Sequence, residues 1–483
     1  MNFRMILKSL GVVILIEGLC MVPPLIVSFV YGQDDAAAFI ISIILCAVIG
    51  FSLYTIHIKN INFYARDGFV MVALGWVFIS LLGSIPFILS NTISSPIDAF
   101  FETVSGFTTT GSTILQEIES LPKGILFWRS FTQWIGGMGV LVLTLAVLPS
   151  VGASSLHIIK AESTGPNVEK LVPKIGQSAR ILYTIYTVMT TIQVILLLFA
   201  GMPLYDSLIH AFGTAGTGGF SSRNLSVGAY GNVYVEVVIT VFTILFGVNF
   251  SLYYQILKGN IKSAIEDEEF RFYIGTITIS IIFVAINLYS NGLFSFSDSI
   301  RHSSFQVGTI ITTTGYSTTD FNLWPTFSKM ILITLMFFGG SAGSTAGGIK
   351  FLRIVLLLKT VKRGVTKALH PRAVHTIKLN KKVVDDNTIS RTLTFFFAYM
   401  LIFLVSLLLI TLNGKDLITS ATAVLSTLSN VGPGFEVIGP MGNFSDFSHG
   451  SKLVLCFNMI AGRLELLPML LLFSPTAWKK ASI

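Results

Sequence analysis

Charge is what this sequence has least of: only 12% of its 483 residues are Asp, Glu, Lys or Arg, about half the share that covers a soluble globule. A water-soluble domain of this size is therefore excluded. Cysteine is scarce too. Cys20, Cys46 and Cys456 each fall inside an apolar run, without the spacing of a disulfide framework or a zinc site, and read as buried thiols. Catalytic signatures carry little here. HExxH is absent, and although Gly339–Gly343 spells GxSxG around Ser341, it lies in a run of ten small residues rather than a strand–turn–helix, so it does not support Ser341 or Ser344 with any of the seven histidines. His210 reads as a packing residue, and the chain is not expected to be an enzyme.

What is there is apolar length. Hydrophobic residues make up 52% of the chain and mean hydropathy is +0.76. Runs near 20 residues recur, the length that crosses roughly 30 Å of hydrocarbon. Spanning helices are expected near 8–31, 38–57, 68–90, 128–149, 179–200, 233–256, 273–290, 327–358, 392–412 and 452–474. The first lacks a cleavage site after its apolar stretch and reads as a retained helix. Glu17 within it reads as a helix-packing carboxylate.

Ten spans put both termini on one side. Of the 32 Lys and Arg, only Lys123, Arg129, Arg223, Arg301, Lys329, Lys415 and Lys452 fall opposite the termini, and Arg463 lies inside the last span. Positive-inside bias makes both termini cytoplasmic. The +8 net charge is then topogenic, concentrated between Lys359 and Lys382, and needs no nucleic-acid partner.

Four segments on the opposite side look alike: DAFFETVSGFTTTGS from Asp98, DSLIHAFGTAGTGGF from Asp206, DSIRHSSFQVGTIITTTGY from Asp298 and DLITSATAVLSTLSNVGP from Asp416. Each runs from an Asp through a short apolar stretch to a small polar run closing on Gly111, Gly219, Gly315 or Gly432. These glycines are 108, 96 and 117 residues apart. An Asp at each start is expected to cap a helix too short to span. The negative C-terminal ends of such half-helices would face a pore axis. Irregular backbone at that depth survives where it lines a wet cavity, and a glycine permits the positive φ that turns carbonyls one way. Four such strands can replace a cation's hydration shell with carbonyl oxygens.

Two features are costly in a membrane. The eighth span carries ten consecutive small residues, 339–348, each interior Gly costing a helix about 1 kcal/mol relative to Ala. A broken helix with a loop under the filter is expected there, rather than a packing face, which needs small residues only at every fourth position. Arg463 sits mid-span, at a cost of at least about 2.5 kcal/mol, which a structural ion pair with a carboxylate on another helix would offset. Glu465, two residues away, points elsewhere on a helix. A carrier with a midplane site predicts two matching broken helices in two halves; no span but the eighth looks interrupted, and the fourfold repeat fits a pore.

The strings TTTGS, GTGGF, TTTGY and NVGPG, with WIGGMGVLVL (Trp134–Leu143), FFGGSAGSTAGGIKFLR (Phe337–Arg353) and GRLELLP (Gly462–Pro468), resemble the TrkH/TrkG/KtrB superfamily of K⁺ transporters, and its TrkH branch above all, over the whole chain. The resemblance implies an all-α polytopic membrane fold. Two extra N-terminal helices (1–60) precede four M1–P–M2 repeats in pseudo-fourfold array: 61–155, 156–265, 266–370 and 371–483. It implies K⁺ uptake across the bacterial inner membrane, a homodimer, and a cytoplasmic TrkA-type regulatory subunit that would carry the nucleotide (NAD or ATP/ADP), with no cofactor on this chain. Carried over by position, the K⁺-lining residues would be Thr109, Thr110 and Gly111; Thr217, Gly218 and Gly219; Thr313, Thr314 and Gly315; and Asn430, Val431 and Gly432. The gate would comprise Gly339, Gly340, Gly343, Gly347, Gly348 and Arg463. Channel-like permeation and H⁺- or Na⁺-coupled symport both remain open.

Overall fold

The computed structural model describes residues 2–58, 65–139, 175–373 and 375–478. These are mainly helical. The strands among them are a two-rung antiparallel hairpin, Lys378–Leu379 against Lys382–Val383.

The N-terminal pair, Phe3–Cys20 continued by Val22–Tyr31 and the antiparallel Ala36–Tyr54, packs backbone to backbone. A Cβ on Gly11 would lie 2.7 Å from the Gly50 carbonyl oxygen, and one on Gly50 would lie 2.9 Å from that of Gly11. Small residues permit this approach in a medium that gives no hydrophobic drive between helices.

A four-part unit then recurs four times. The outer helices are Ala65–Gly83, Ile175–Phe199, Glu268–Ser290 and Asp386–Thr411. Each is followed by a short helix: Pro96–Phe107, Leu204–Gly216, Phe296–Ile311 and Leu417–Ser429. At 12 to 16 residues these reach about 18–24 Å, less than the hydrocarbon core. A non-helical strand follows, then an inner helix. The outer helices are continuous and turn apolar side chains outward, as Ile282, Phe283, Leu404 and Leu408 show. That exposure suits lipid.

The inner helices differ from the expected uninterrupted spans. Among the described residues six helices are long and apolar enough to cross a membrane: the N-terminal two and the four outer ones. Each inner helix stops partway. Lys123–Gly137 ends at a glycine pair; Val233–Phe246 turns through 92° into Phe250–Leu257; Thr326–Phe338 gives way to a loop before Phe351–Leu369; His449–Arg463 breaks before Leu467–Leu472. The eighth span breaks where the glycine run lies, as expected, but the seeming continuity of the sixth and tenth does not hold. Gly247 and Asn249 interrupt one, while Glu465 and Leu466, both at positive φ, interrupt the other. Glu465 therefore lies outside the helix that carries Arg463.

The Asp residues are also placed differently. Only Asp416 is an N-cap, accepting from the Thr419 N–H at 2.9 Å. Asp98, Asp206 and Asp298 sit in the first turn, behind caps at Ser95, Pro203 and Ser295. The helices begin two residues before the Asp, behind caps three residues before it, because serine caps and prolines tolerate that start. A first-turn carboxylate still meets the positive dipole end. Asp98 additionally receives the buried Lys452 ammonium at 2.7 Å.

Candidate functional site

Each short helix ends in one motif. The N–H of Thr109, Thr217, Thr313 and Asn430 returns to the carbonyl three residues back, at 3.0, 3.0, 3.0 and 3.4 Å. The next N–H reaches five back: Thr110 to Ser105, Gly218 to Gly213, Thr314 to Thr309 and Val431 to Ser426, at 2.7–2.9 Å. This is a Schellman closure, which requires a left-handed residue at its turn. Those residues have φ of +55°, +56°, +57° and +57°, three of them threonines.

Two residues on, Gly111, Gly219, Gly315 and Gly432 are again left-handed, with φ of +83°, +74°, +80° and +102°. Glycine was expected at this second position; the first positive φ was not. Alternating the sign of φ turns successive carbonyls to one face, where a regular strand would alternate them. The Schellman bonds occupy the N–H groups, so the oxygens are what the strand presents.

The four strands close a ring. A Cβ on Gly111 would collide with the carbonyl oxygen of Gly218, one on Gly219 with that of Thr314, one on Gly315 with that of Val431, and one on Gly432 with that of Thr110, all inside 3.0 Å. Each glycine thus abuts the residue before the glycine of the next copy, in order around an axis. Side chains tie the seam between the last copy and the first: Ser112 Oγ donates to the Gly432 carbonyl at 3.1 Å and Asn430 Nδ2 to Thr110 Oγ1 at 2.9 Å. A cavity of ≈ 120 Å³ opens on all four glycines. Behind the first two strands, buried Arg129 bonds Glu102 at 2.6 Å and the Ser221 carbonyl at 3.2 Å, and stacks on Phe220. Glu102 accepts in turn from the Ile114 N–H at 2.9 Å. No sequence signal pointed to this pair, whose members are 27 residues apart.

Loop 339–348 lies against the inner end of this ring. The Gly347 N–H donates to Thr313 Oγ1 at 2.7 Å, and a Cβ on Gly347 would strike the Ser429 carbonyl. The loop also binds the broken inner helix of the second copy: Ser341 N–H to the Gly247 carbonyl at 2.9 Å, and Phe250 N–H to the Gly343 carbonyl at 3.0 Å. Gly339, Gly340, Gly343, Gly347 and Gly348 each lack room for a Cβ. Arg463 completes the layer. Its Nη1 donates to the Thr345 carbonyl at 2.7 Å and its Nη2 to that of Gly137 at 2.6 Å, with Gly136 alongside. Loop carbonyls and the C-terminal end of the first inner helix therefore surround the guanidinium, and Glu465 pairs with Arg353.

All the residues expected to line the path thus come together in two layers, a ring of carbonyl oxygens and the loop-and-arginine layer against it. Among the described residues no cluster of His, Cys, Asp or Glu is placed to hold a metal; the ring offers neutral oxygens. The Trp134–Leu143 stretch passes outside the described residues after position 139.

Comparison with known proteins agrees with this architecture. Residues 34–480 match the TrkH family, described as cation transport protein. The Trk system potassium uptake protein TrkH of Salmonella typhimurium is 36% identical over 99% of this chain and 100% of its own length. TrkG of Escherichia coli, also a Trk system potassium uptake protein, is 33% identical over 99% of each. The crystal structure of the potassium transporter TrkH from Vibrio parahaemolyticus superimposes with a TM-score of 0.89 at 33% identity, covering 99% of this chain and 100% of that one. The chain belongs to the TrkH family of cation transport proteins.

Proposed function

We propose that this protein carries K⁺ into the bacterial cell across the inner membrane, through the ring formed by residues 109–111, 217–219, 313–315 and 430–432. The closed cyclic order of four left-handed glycines against four neighbouring carbonyls carries this reading. Such oxygens, held by the surrounding fold, substitute for hydration water around a desolvated cation. The potassium-uptake names of the full-length relatives support K⁺ as cargo.

In this reading the four units 61–155, 156–265, 266–370 and 371–483 each supply one strand. Loop 339–348 and Arg463 form the gate: the loop obstructs the path, and the arginine adds a positive charge that opposes a cation until both move. Both termini face the cytosol, two copies form a dimer, and a TrkA-type subunit acts on the cytoplasmic face. The test is rubidium uptake into vesicles of purified protein under imposed K⁺, Na⁺ and H⁺ gradients. Uptake driven by the rubidium gradient alone and blocked by K⁺ supports a conducting filter. Uptake that requires a Na⁺ or H⁺ gradient would replace it with symport.

A further inference from the structure

The second strand is built unlike the others. At the position before the ring glycine, the other copies carry Thr110, Thr314 and Val431, all buried. The Thr110 hydroxyl bonds that of Thr108 at 2.8 Å, and the Thr314 hydroxyl bonds that of Thr312 at 2.9 Å. The second copy has Gly218, which has no side chain and is followed by another glycine. Such a strand has the most backbone freedom to lose.

Its space is filled from elsewhere. Gln133, on the inner helix Lys123–Gly137 of the first copy, is 0% exposed. Its Nε2 and Cγ lie 2.6 and 2.8 Å from where a Cβ on Gly218 would stand. The amide then grips the strand on both sides of Gly219. Nε2 donates to the Gly218 carbonyl at 2.7 Å, and Oε1 accepts the Phe220 N–H at 3.0 Å. A carbonyl on one side and an N–H on the other leave the amide a single orientation.

We propose that Gln133 is a positioning residue that sets cation specificity, replacing the side chain the second strand lacks and holding the Gly218 carbonyl in the ring. The inference rests on the four strands acting as the filter. Gly218 oxygen occupies the same ring position as those of Thr110, Thr314 and Val431, beside the glycine of the preceding copy. It keeps a second lone pair for a cation while the first accepts from Gln133. Without the amide, that oxygen can turn away or approach the axis too closely. A smaller, better hydrated ion then gains relative to K⁺.

The experiment compares K⁺ and Na⁺ competition against rubidium uptake in vesicles for wild type, Gln133→Leu, Gly218→Thr and the double variant Gln133→Ala/Gly218→Thr. Gln133→Leu keeps bulk and loses both bonds; its K⁺ over Na⁺ preference is expected to fall about tenfold, the scale of one net buried hydrogen bond. Gly218→Thr alone collides with Gln133 and is expected to lose uptake. The double variant gives the second strand the side chain its neighbours have, and is expected to recover both uptake and preference. Packing alone would not produce that recovery of specificity. Wild-type preference in Gln133→Leu, or a folded double variant with no more preference than Gln133→Leu, would overturn the proposal. Gly219→Asp serves as the reference: if it too keeps wild-type preference, the filter assignment itself fails, and not only the role of Gln133.

Discussion

Threonine is a poor occupant of left-handed backbone, which costs an L-residue about 1–2 kcal/mol, yet Thr109, Thr217 and Thr313 all adopt it. Strain of this kind persists where surrounding bonds over-determine it, here the Schellman pair at each helix end. Thr313 has a further tie, since its hydroxyl receives the Gly347 N–H. Thr313→Val removes that anchor and leaves the carbonyl in place, so rubidium flux is expected to rise severalfold, up to about tenfold for one lost bond, with cation preference retained. Equal flux in the variant would show that the loop is held without it. The buried pair behind the ring gives a second expectation. Glu102→Ala leaves Arg129 buried without its carboxylate, a change that costs about 3–5 kcal/mol, and should appear as a marked loss of thermal stability in detergent; an unaltered melting profile would contradict this role. Sequence alone pointed to the ring glycines because glycine at a shared offset signals positive φ. It placed Thr109, Thr217 and Thr313 in the lining by resemblance but did not point to their left-handed backbone, since a β-branched side chain argues against that conformation, nor to Gln133, whose partners lie 85 and 87 residues away.

The inner helices show what a pore demands of its lining. Each described inner helix ends after 13 to 15 residues, and a helix end exposes carbonyls that need donors. Those of Gly136 and Gly137 find the Arg463 guanidinium; the loop meets the broken second inner helix through Gly247 and Phe250. Shortening loop 339–348 and replacing Arg463 with Ala should each raise rubidium flux. A cation about 6 Å from a fixed charge at an effective dielectric near 20 feels roughly 3 kcal/mol of repulsion, about a hundredfold in occupancy, which bounds the arginine effect. The two changes act on one layer and are expected to combine less than additively. Fully additive effects would place them in separate barriers. The break in the third inner helix was legible because ten consecutive small residues cannot sustain a helix. The breaks in the second and fourth were not, because Gly247 is a single glycine in an apolar run, a pattern helices also tolerate, and Glu465 and Leu466 are ordinary helix formers. Tertiary contacts with the loop and the ring decide them.

At the scale of the molecule, four unequal copies build one near-symmetric ring, and their inequality is supported from outside each strand. The overall architecture was readable because composition, apolar length and the four-times-repeated segment all pointed the same way. The basic segment between Lys359 and Lys382 divides in two. Lys359 and Arg363 are engaged with Glu268 and Asp386, while Lys362, Lys367, Lys381 and Lys382 are exposed, Lys381 with its ammonium 3.7 Å from Glu266. Neutralising those four should weaken co-purification with a TrkA-type subunit and leave cation preference untouched; undiminished complex would assign them to membrane anchoring. The central claim is that the carbonyl ring selects the ion. Its most direct measurement is the ratio of K⁺ to Na⁺ competition against rubidium uptake in vesicles containing wild type, Gly219→Asp or Gly315→Asp. A side chain at either glycine strikes the neighbouring carbonyl, so the ring predicts that inserted, folded variants lose uptake or lose their preference for K⁺. Wild-type uptake with wild-type preference in both variants would contradict it.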